Sequence, residues 1–240
     1  MTRIEPLTSR TRRSSWAGLS ILISVLVAGA SACASSEGDE TPYDASAEVR
    51  LLAIGDSVLE WNEDNATPVR AAELLNERGI ATIVENRAVS GSCLGTCDDA
   101  EEAIATTYSD DGWTHLLVSG GGNDIEDCAS ADPILSEDLT SGLIVDLLDR
   151  VPASTTVLLY VYAPPIDPND PLASCAEFER LQARYRALAE ARAGVELVDA
   201  SSVADASTPE LYADSVHPSP AGSAAIGTLV ADVIEASLDN

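Results

Sequence analysis

Three residue types that can support nucleophilic catalysis recur at telling places in this chain. Ser57 stands in the tripeptide Gly55-Asp56-Ser57. A serine hydroxyl is a weak nucleophile at neutral pH, so it needs a base to take its proton and dipoles to hold the oxyanion that forms. The chain has 2 histidines. His115 opens a strand-like run, at the opposite end of that strand from any site near Ser57, and reads as structural. His217 lies in a loop ahead of the last helix-like stretch, with Asp214 three residues before it. At that spacing the carboxylate can reach the second ring nitrogen, fix the tautomer and stabilise the imidazolium. Oxyanion donors must be neutral, short and close to substrate, and glycine lets the backbone make that approach. Asn123, presented by Gly120-Gly121-Gly122, offers a side-chain amide, and Gly91 and Ser57 offer backbone amides. Such a set would carry out acyl transfer to serine.

These residues need a scaffold that brings them together. Val49 to Ile54, Ala81 to Asn86, Thr114 to Ser119, Thr155 to Tyr162 and Val195 to Val198 read as five strands. Helices are expected over Thr67 to Arg78, Asp98 to Thr107, Ser136 to Arg150 and Cys175 to Ala193, and from Ser219 and Pro220 to about Ser237. Thr67 can cap the first of these, Pro68 suits its first turn and Gly79 can end it. Alternation of strands with helices of about ten residues or more predicts a parallel sheet covered on both faces, because parallel strands need crossover connections. Ligands then bind beyond the carboxyl ends of the strands. The Ser57, Gly91 and Asn123 segments each follow a strand, and the Asp214–His217 segment precedes the final helix. Loops at about Ile125 to Leu135 and Ala163 to Ser174 are expected to frame the cleft. Trp61 could wall an acyl pocket or pack at a helix start.

In these blocks the chain resembles the SGNH or GDSL hydrolase superfamily, named for serine, glycine, asparagine and histidine in four segments. Ser57 matches the first, Gly91 the second, Asn123 in Gly-Gly-Asn-Asp the third, and Asp214 with His217 the last. The likeness runs from about Val49 to the C-terminus. One departure stands in the second block, usually Asn-x-Gly-x-x-Gly, where Ala88 replaces the first glycine. The resemblance implies an α/β fold, a flavodoxin-like three-layer α/β/α sandwich with a five-stranded parallel sheet. It also implies ester or thioester hydrolysis without metal or cofactor, through an acyl-enzyme on Ser57. His217 would be the base, Asp214 its support, and Ser57, Gly91 and Asn123 the oxyanion hole. Asp56, Asp124, Glu126 and Asp127 raise a metal reading, but acids beside such turns more often bind loop amides.

The first part of the chain reads as an export signal rather than fold. Arg3, Arg10, Arg12 and Arg13 precede the apolar stretch Ala17 to Ala30, followed by Ser31-Ala32-Cys33. About 14 apolar residues fall short of the roughly 20 that span a bilayer. Residues 1–33 are therefore expected to be a signal peptide. Small residues leading into Cys33 resemble a bacterial lipobox, which implies lipidation of that cysteine; ordinary cleavage and secretion is the alternative. Residues 34–48, rich in Ser, Ala, Glu and Asp, read as a disordered tether, and 49–240 as the hydrolase domain.

Of the 5 cysteines, setting Cys33 aside leaves an even set, Cys93, Cys97, Cys128 and Cys175, suited to two disulfides in an oxidising compartment. Three pairings are possible; close spacing favours 93 with 97, and a shared rim favours 128 with 175. Structural zinc is disfavoured for want of a second close pair or a nearby histidine. The formal net charge is −27, with no lysine anywhere. That field disfavours nucleic acid, anionic lipid and polyanionic substrates. The expected partners are a small-molecule, glycan or lipid ester, with the membrane reached only through the lipid anchor and the chain acting as a monomer. Short or medium acyl esters, O-acetyl groups on carbohydrate included, are the expected substrates. A non-catalytic surface lipoprotein that binds glycan or a partner, and an acyltransferase using the same residues, are the alternatives.

Overall fold

A computed structural model of the chain describes residues 46–95, 103–125 and 137–239, with the side chains of 137–140 excepted. Strands β1 (Val49–Ile54), β2 (Thr82–Asn86), β3 (His115–Val118), β4 (Thr156–Val161) and β5 (Val195–Asp199) form one sheet in the order β2-β1-β3-β4-β5. All four pairings are parallel. Leu51 pairs with Val84 on one side and His115 on the other. The apolar runs read in the sequence fill the middle of the molecule: Leu51, Leu52, Ile54, Leu116, Leu117, Leu158 and Leu159 are completely buried. Strands covered on both faces carry such continuous apolar runs.

Helices α1 (Ser57–Glu60), α2 (Thr67–Glu77), α3 (Glu137–Leu148), α4 (Ala176–Ala191) and α5 (Pro220–Leu238) supply the outer layers. α2 packs against α5, and α3 against α4, which gives the two helical layers of an α/β/α sandwich. The chain leaves β1 toward β2 on one flank and β3 toward β4 on the other. Beyond the carboxyl end of β1 these paths diverge and leave a crevice, the usual ligand position in such sheets. Ser57 begins α1 at that point.

Two local expectations change. Ala66, not Thr67, occupies the cap position of α2; Thr67 is the first helical residue, and its buried hydroxyl has no partner among the described residues. Pro68 does lie in the first turn, and Gly79, at φ +88°, follows its end. Of the helix expected over Asp98 to Thr107, residues 98–102 lie outside the described residues. The remainder holds a single 3-10 turn, Ile104–Thr106. His115 is buried at the amino end of β3, between Thr114 Oγ1 at 2.9 Å and Ser237 Oγ at 3.0 Å. Burial lowers its pKa to about 4, so it is a neutral structural histidine at the end of the sheet away from Ser57.

Candidate active site

Ser57 is placed by a turn that only glycine can make. Gly55 has φ +155°, and a Cβ there would sit 2.1 Å from Ser119 Oγ. This close approach lets Ser119 Oγ accept from the Asp56 amide at 3.2 Å and donate to Asp56 Oδ1 at 2.8 Å. The Tyr162 hydroxyl donates to the other oxygen, Oδ2. Burial pushes the Asp56 carboxyl above its ordinary range, against the opposing pull of the Tyr162 and Ser119 hydroxyls and the Val58 amide. Asp56 is thus a buried brace under the Ser57 turn, tying β1 to the ends of β3 and β4.

His217 arrives from the other end of the sequence. Its Nε2 lies 2.8 Å from Ser57 Oγ, and its Nδ1 lies 2.7 Å from Asp214 Oδ2. Asp214 Oδ1 accepts the amides of Val216 at 2.9 Å and His217 at 2.8 Å. Partial burial works against its charged form, but those two amides and the histidine ring outweigh it and hold its pKa below the usual value. The segment is strapped on several sides. Tyr212 bridges to Pro218, the Ile166 amide donates to the Ser215 carbonyl at 2.9 Å, and the Ser215 hydroxyl donates to Asp170.

The loop after β2 is held amide by amide. Arg87 N donates to the Ala53 carbonyl, Ala88 N to Asn86 Oδ1, Val89 N to the Gly55 carbonyl, Ser90 N to Glu60 Oε2 and Ser92 N to the Val89 carbonyl. Within this run only the Gly91 amide donates to no acceptor among the described residues. Gly91 has φ +80°, a left-handed conformation that favours glycine. Ala88, at the departure from the usual motif, is buried and accommodated. Asn123 spends one amide hydrogen on the Ser92 carbonyl at 2.8 Å and lines the cleft. Asp124 accepts from Leu94 N at 2.9 Å and Gly95 N at 3.0 Å, so it fastens the Gly91 and Asn123 loops together. Burial raises its pKa, with the Gly95 and Leu94 amides opposing. Asp124 therefore serves loop amides, as expected, and among the described residues no three His, Cys, Asp or Glu side chains are placed to share a metal ion.

A cleft of about 160 Å³ opens on Ser57 and His217, walled by Asn123, Tyr162, Leu172 and Phe178. Its Asp170-Pro171-Leu172 wall belongs to the loop expected to frame it. Of the second framing loop, only Ile125 is described. Cys93 and Cys175 are both disulfide-bonded. Cys97, Cys128 and Cys33 lie outside the described residues, as do the expected signal peptide and most of the tether.

Sequence reasoning missed the work of the turn that follows Ser57. Trp61 stacks on the His217 ring, with centroids 4.0 Å apart and planes at 10°, and is not among the residues lining the 160 Å³ cleft. Glu60 Oε2 accepts from both the amide and the hydroxyl of Ser90, next to Gly91. Asn62, left-handed at φ 76°, donates to the Pro218 carbonyl at 3.0 Å and Ser223 Oγ at 2.8 Å. Their sequence signal was only their position within one turn of the nucleophile.

No curated protein sequence matches the chain. Solved structures do. A carbohydrate acetylesterase family member from Sinorhizobium meliloti superposes with TM-score 0.61 at 16% identity, covering 80% of this chain and 100% of that one. A carbohydrate esterase family 3 structure from Talaromyces cellulolyticus gives 0.58 at 17%, covering 80% and 99%. A member of the lipolytic protein G-D-S-L family from Veillonella parvula gives 0.59 at 12%, covering 78% and 98%. At such identities these likenesses establish the fold. The family itself rests on the sequence: the model of the GDSL-like Lipase/Acylhydrolase family matches residues 53–225, well over half the chain and the whole span from β1 into α5. The chain belongs to that family and is an ester-hydrolysing serine hydrolase.

Proposed function

We propose that the protein hydrolyses short or medium acyl, uncharged carboxylic esters, O-acetyl groups on carbohydrate among them, through an acyl-enzyme on Ser57. The observation that carries this reading is the unbroken chain Ser57 Oγ–His217 Nε2, His217 Nδ1–Asp214 Oδ2 at 2.8 and 2.7 Å, facing an open cleft. Ser57 Oγ attacks the carbonyl carbon while its proton passes to His217 Nε2. The resulting oxyanion is held by the Ser57 and Gly91 amides and the second amide hydrogen of Asn123. Collapse expels the alcohol, which takes the proton from His217. Water then attacks the acyl-enzyme, giving its proton to the same nitrogen, and the second collapse returns that proton to Ser57 Oγ with release of the acid. Asp214 holds the imidazole in the tautomer that accepts at Nε2 and stabilises it when charged.

Size and charge support the substrate class. An apolar cavity of about 150 Å³ accommodates benzene, so the 160 Å³ cleft has room for about six heavy atoms beside Ser57. Among the described residues no lysine or arginine lines it, and the net charge of −27 disfavours anionic esters. The two carbohydrate esterases among the similar folds are consistent with acetylated sugar as one substrate. Ser57→Ala should abolish hydrolysis of p-nitrophenyl acetate; turnover near the wild-type rate would refute the mechanism.

The proposal extends to location. The basic, apolar and small-residue order of residues 1–33 and the even cysteine set after Cys33 support export with lipidation at Cys33. Metabolic labelling with a fatty acid should mark the wild type and not Cys33→Ser; an unlabelled wild type would overturn the anchor.

A further inference from the structure

A second cavity, of about 250 Å³, adjoins the catalytic cleft and shares Tyr162, Leu172 and Phe178 with it. Two of these shared walls are fixed. Phe178 is in the core, and Tyr162 is buried with its hydroxyl on Asp56. Leu172 is only partly buried and rides on the 3-10 turn Pro171–Ser174. Asp170 anchors that turn at both ends of its carboxylate, accepting the Leu172 amide on Oδ1 at 2.9 Å and the Ser215 hydroxyl on Oδ2. The turn that separates the two cavities is thereby tied to the segment that carries His217.

The second cavity has its own chemistry. Gln182 accepts the Tyr162 amide on Oε1 at 3.2 Å, which fixes its side chain and leaves its amide nitrogen as a donor. The Arg186 guanidinium is neutralised by Asp199, with Nε and an Nη each 2.8 Å from the carboxylate. Glu179 stands at the same cavity and opposes an anion, while Pro164, Pro165 and Ala173 provide apolar surface. Such a lining fits an uncharged chain or ring with at least one hydrogen-bond acceptor.

We propose that this cavity is a subsite for the distal part of the ester, the portion beyond about the first six heavy atoms from the scissile carbonyl, with Leu172 as the partition it passes. On the benzene scale used for the cleft, 250 Å³ adds room for about ten heavy atoms. The distal part could belong to the acyl chain or to the alcohol; its recognition is the same. The inference rests on the hydrolytic reading of Ser57.

The test fills the cavity from a residue that does not line the catalytic cleft. Ala173→Phe and wild type are compared by kcat/KM in two arms. One arm is p-nitrophenyl esters from acetate to decanoate, and the other is acetates of ethanol, octanol and a methyl glycoside. Ala173→Phe should lower kcat/KM for the long members of one arm by about fivefold or more relative to its shortest member, and the affected arm identifies the occupant. Leu172→Ala should raise the long-to-short ratio in that same arm, and Ala173→Phe added to it should remove the gain. A filled variant that changes long and short esters by one common factor in both arms overturns the subsite while leaving the hydrolase reading intact. A folded wild type that cleaves none of these esters overturns both.

Discussion

Removing the Glu60 side chain should weaken the oxyanion hole without touching substrate. Glu60 lies one helical turn after Ser57 and accepts from Ser90 N at 2.6 Å and from the Ser90 hydroxyl, immediately before Gly91. A hydrogen bond to a charged group contributes about 1.5–3 kcal/mol, and both partners here have access to water, which replaces part of that on deletion. A net loosening of about 1–2 kcal/mol is left. If it falls on the transition state, at about 1.4 kcal/mol per tenfold, turnover drops roughly 5- to 30-fold. That lies below the about 10²- to 10³-fold cost of losing a donor outright, as expected for a donor displaced rather than deleted. Because the Gly91 amide, as proposed, acts on charge that develops during reaction, the loss should appear in kcat, with KM moving by less than about twofold. Glu60→Gln keeps an acceptor oxygen for the Ser90 amide and should recover most of the rate. Initial rates on p-nitrophenyl acetate for wild type, Glu60→Ala and Glu60→Gln settle the matter. Glu60→Ala with an unchanged kcat, or with its whole deficit in KM, would refute the reasoning.

Two further outcomes follow from the same geometry. Asn123→Ala removes both the proposed oxyanion donor and the 2.8 Å anchor to the Ser92 carbonyl, so kcat should fall by about 10²- to 10³-fold while Tm changes little; a fall under threefold would exclude Asn123 from the hole. His115 is held at a pKa of about 4 against an ordinary 6.5, so as pH falls the unfolded chain takes the proton first. Its contribution is therefore fully present above pH 6.5 and is lost as pH falls toward 4, up to about 3 kcal/mol at 1.4 kcal/mol per unit. Urea unfolding at pH 7 and pH 4.5 should show a loss about 2 kcal/mol larger for wild type than for His115→Gln, and equal losses would contradict the assignment.

The parts of the site that were legible in the sequence are those whose logic is local. Ser57 follows a buried apolar run, and its placement at a strand's carboxyl end needs only the strand and the turn. Asp214 and His217 lie within one turn of each other, so their pairing needs no knowledge of the fold. Gly91 and Asn123 stand in loops after β2 and β3, which parallel topology brings to one rim. Less legible were contacts set by long-range packing. The Tyr162 hydroxyl meets Asp56 across 106 residues and Asn62 meets Ser223 across 161, and no periodicity or spacing encodes those distances. Thr67 shows the same limit from the other side: a residue suited to cap a helix was drawn one position inward, with Ala66 left at the cap.

Ala88, where the usual motif has a glycine, keeps an ordinary negative-φ backbone, while the turn from Ser57 to Asn62 gathers contacts from several parts of the site. Four of its side chains grip separate pieces of the machinery. Ser57, the proposed nucleophile, meets His217 Nε2, Glu60 holds the Gly91 loop, Trp61 supports the His217 ring, and Asn62 ties the start of α5, just after His217, back to the same turn. The loop that carries Ala88 is held by the Glu60 carboxylate at Ser90 and by Asn86 Oδ1, which receives the Ala88 amide at 3.1 Å. The base side and the oxyanion side of the proposed site are therefore referred to one short segment, Ser57 to Asn62, and a disturbance there should act on both together. A Glu60→Ala, Trp61→Ala double variant tests this through its coupling: two supports acting on one transition state through a shared turn should give a combined loss that departs from the product of the single losses.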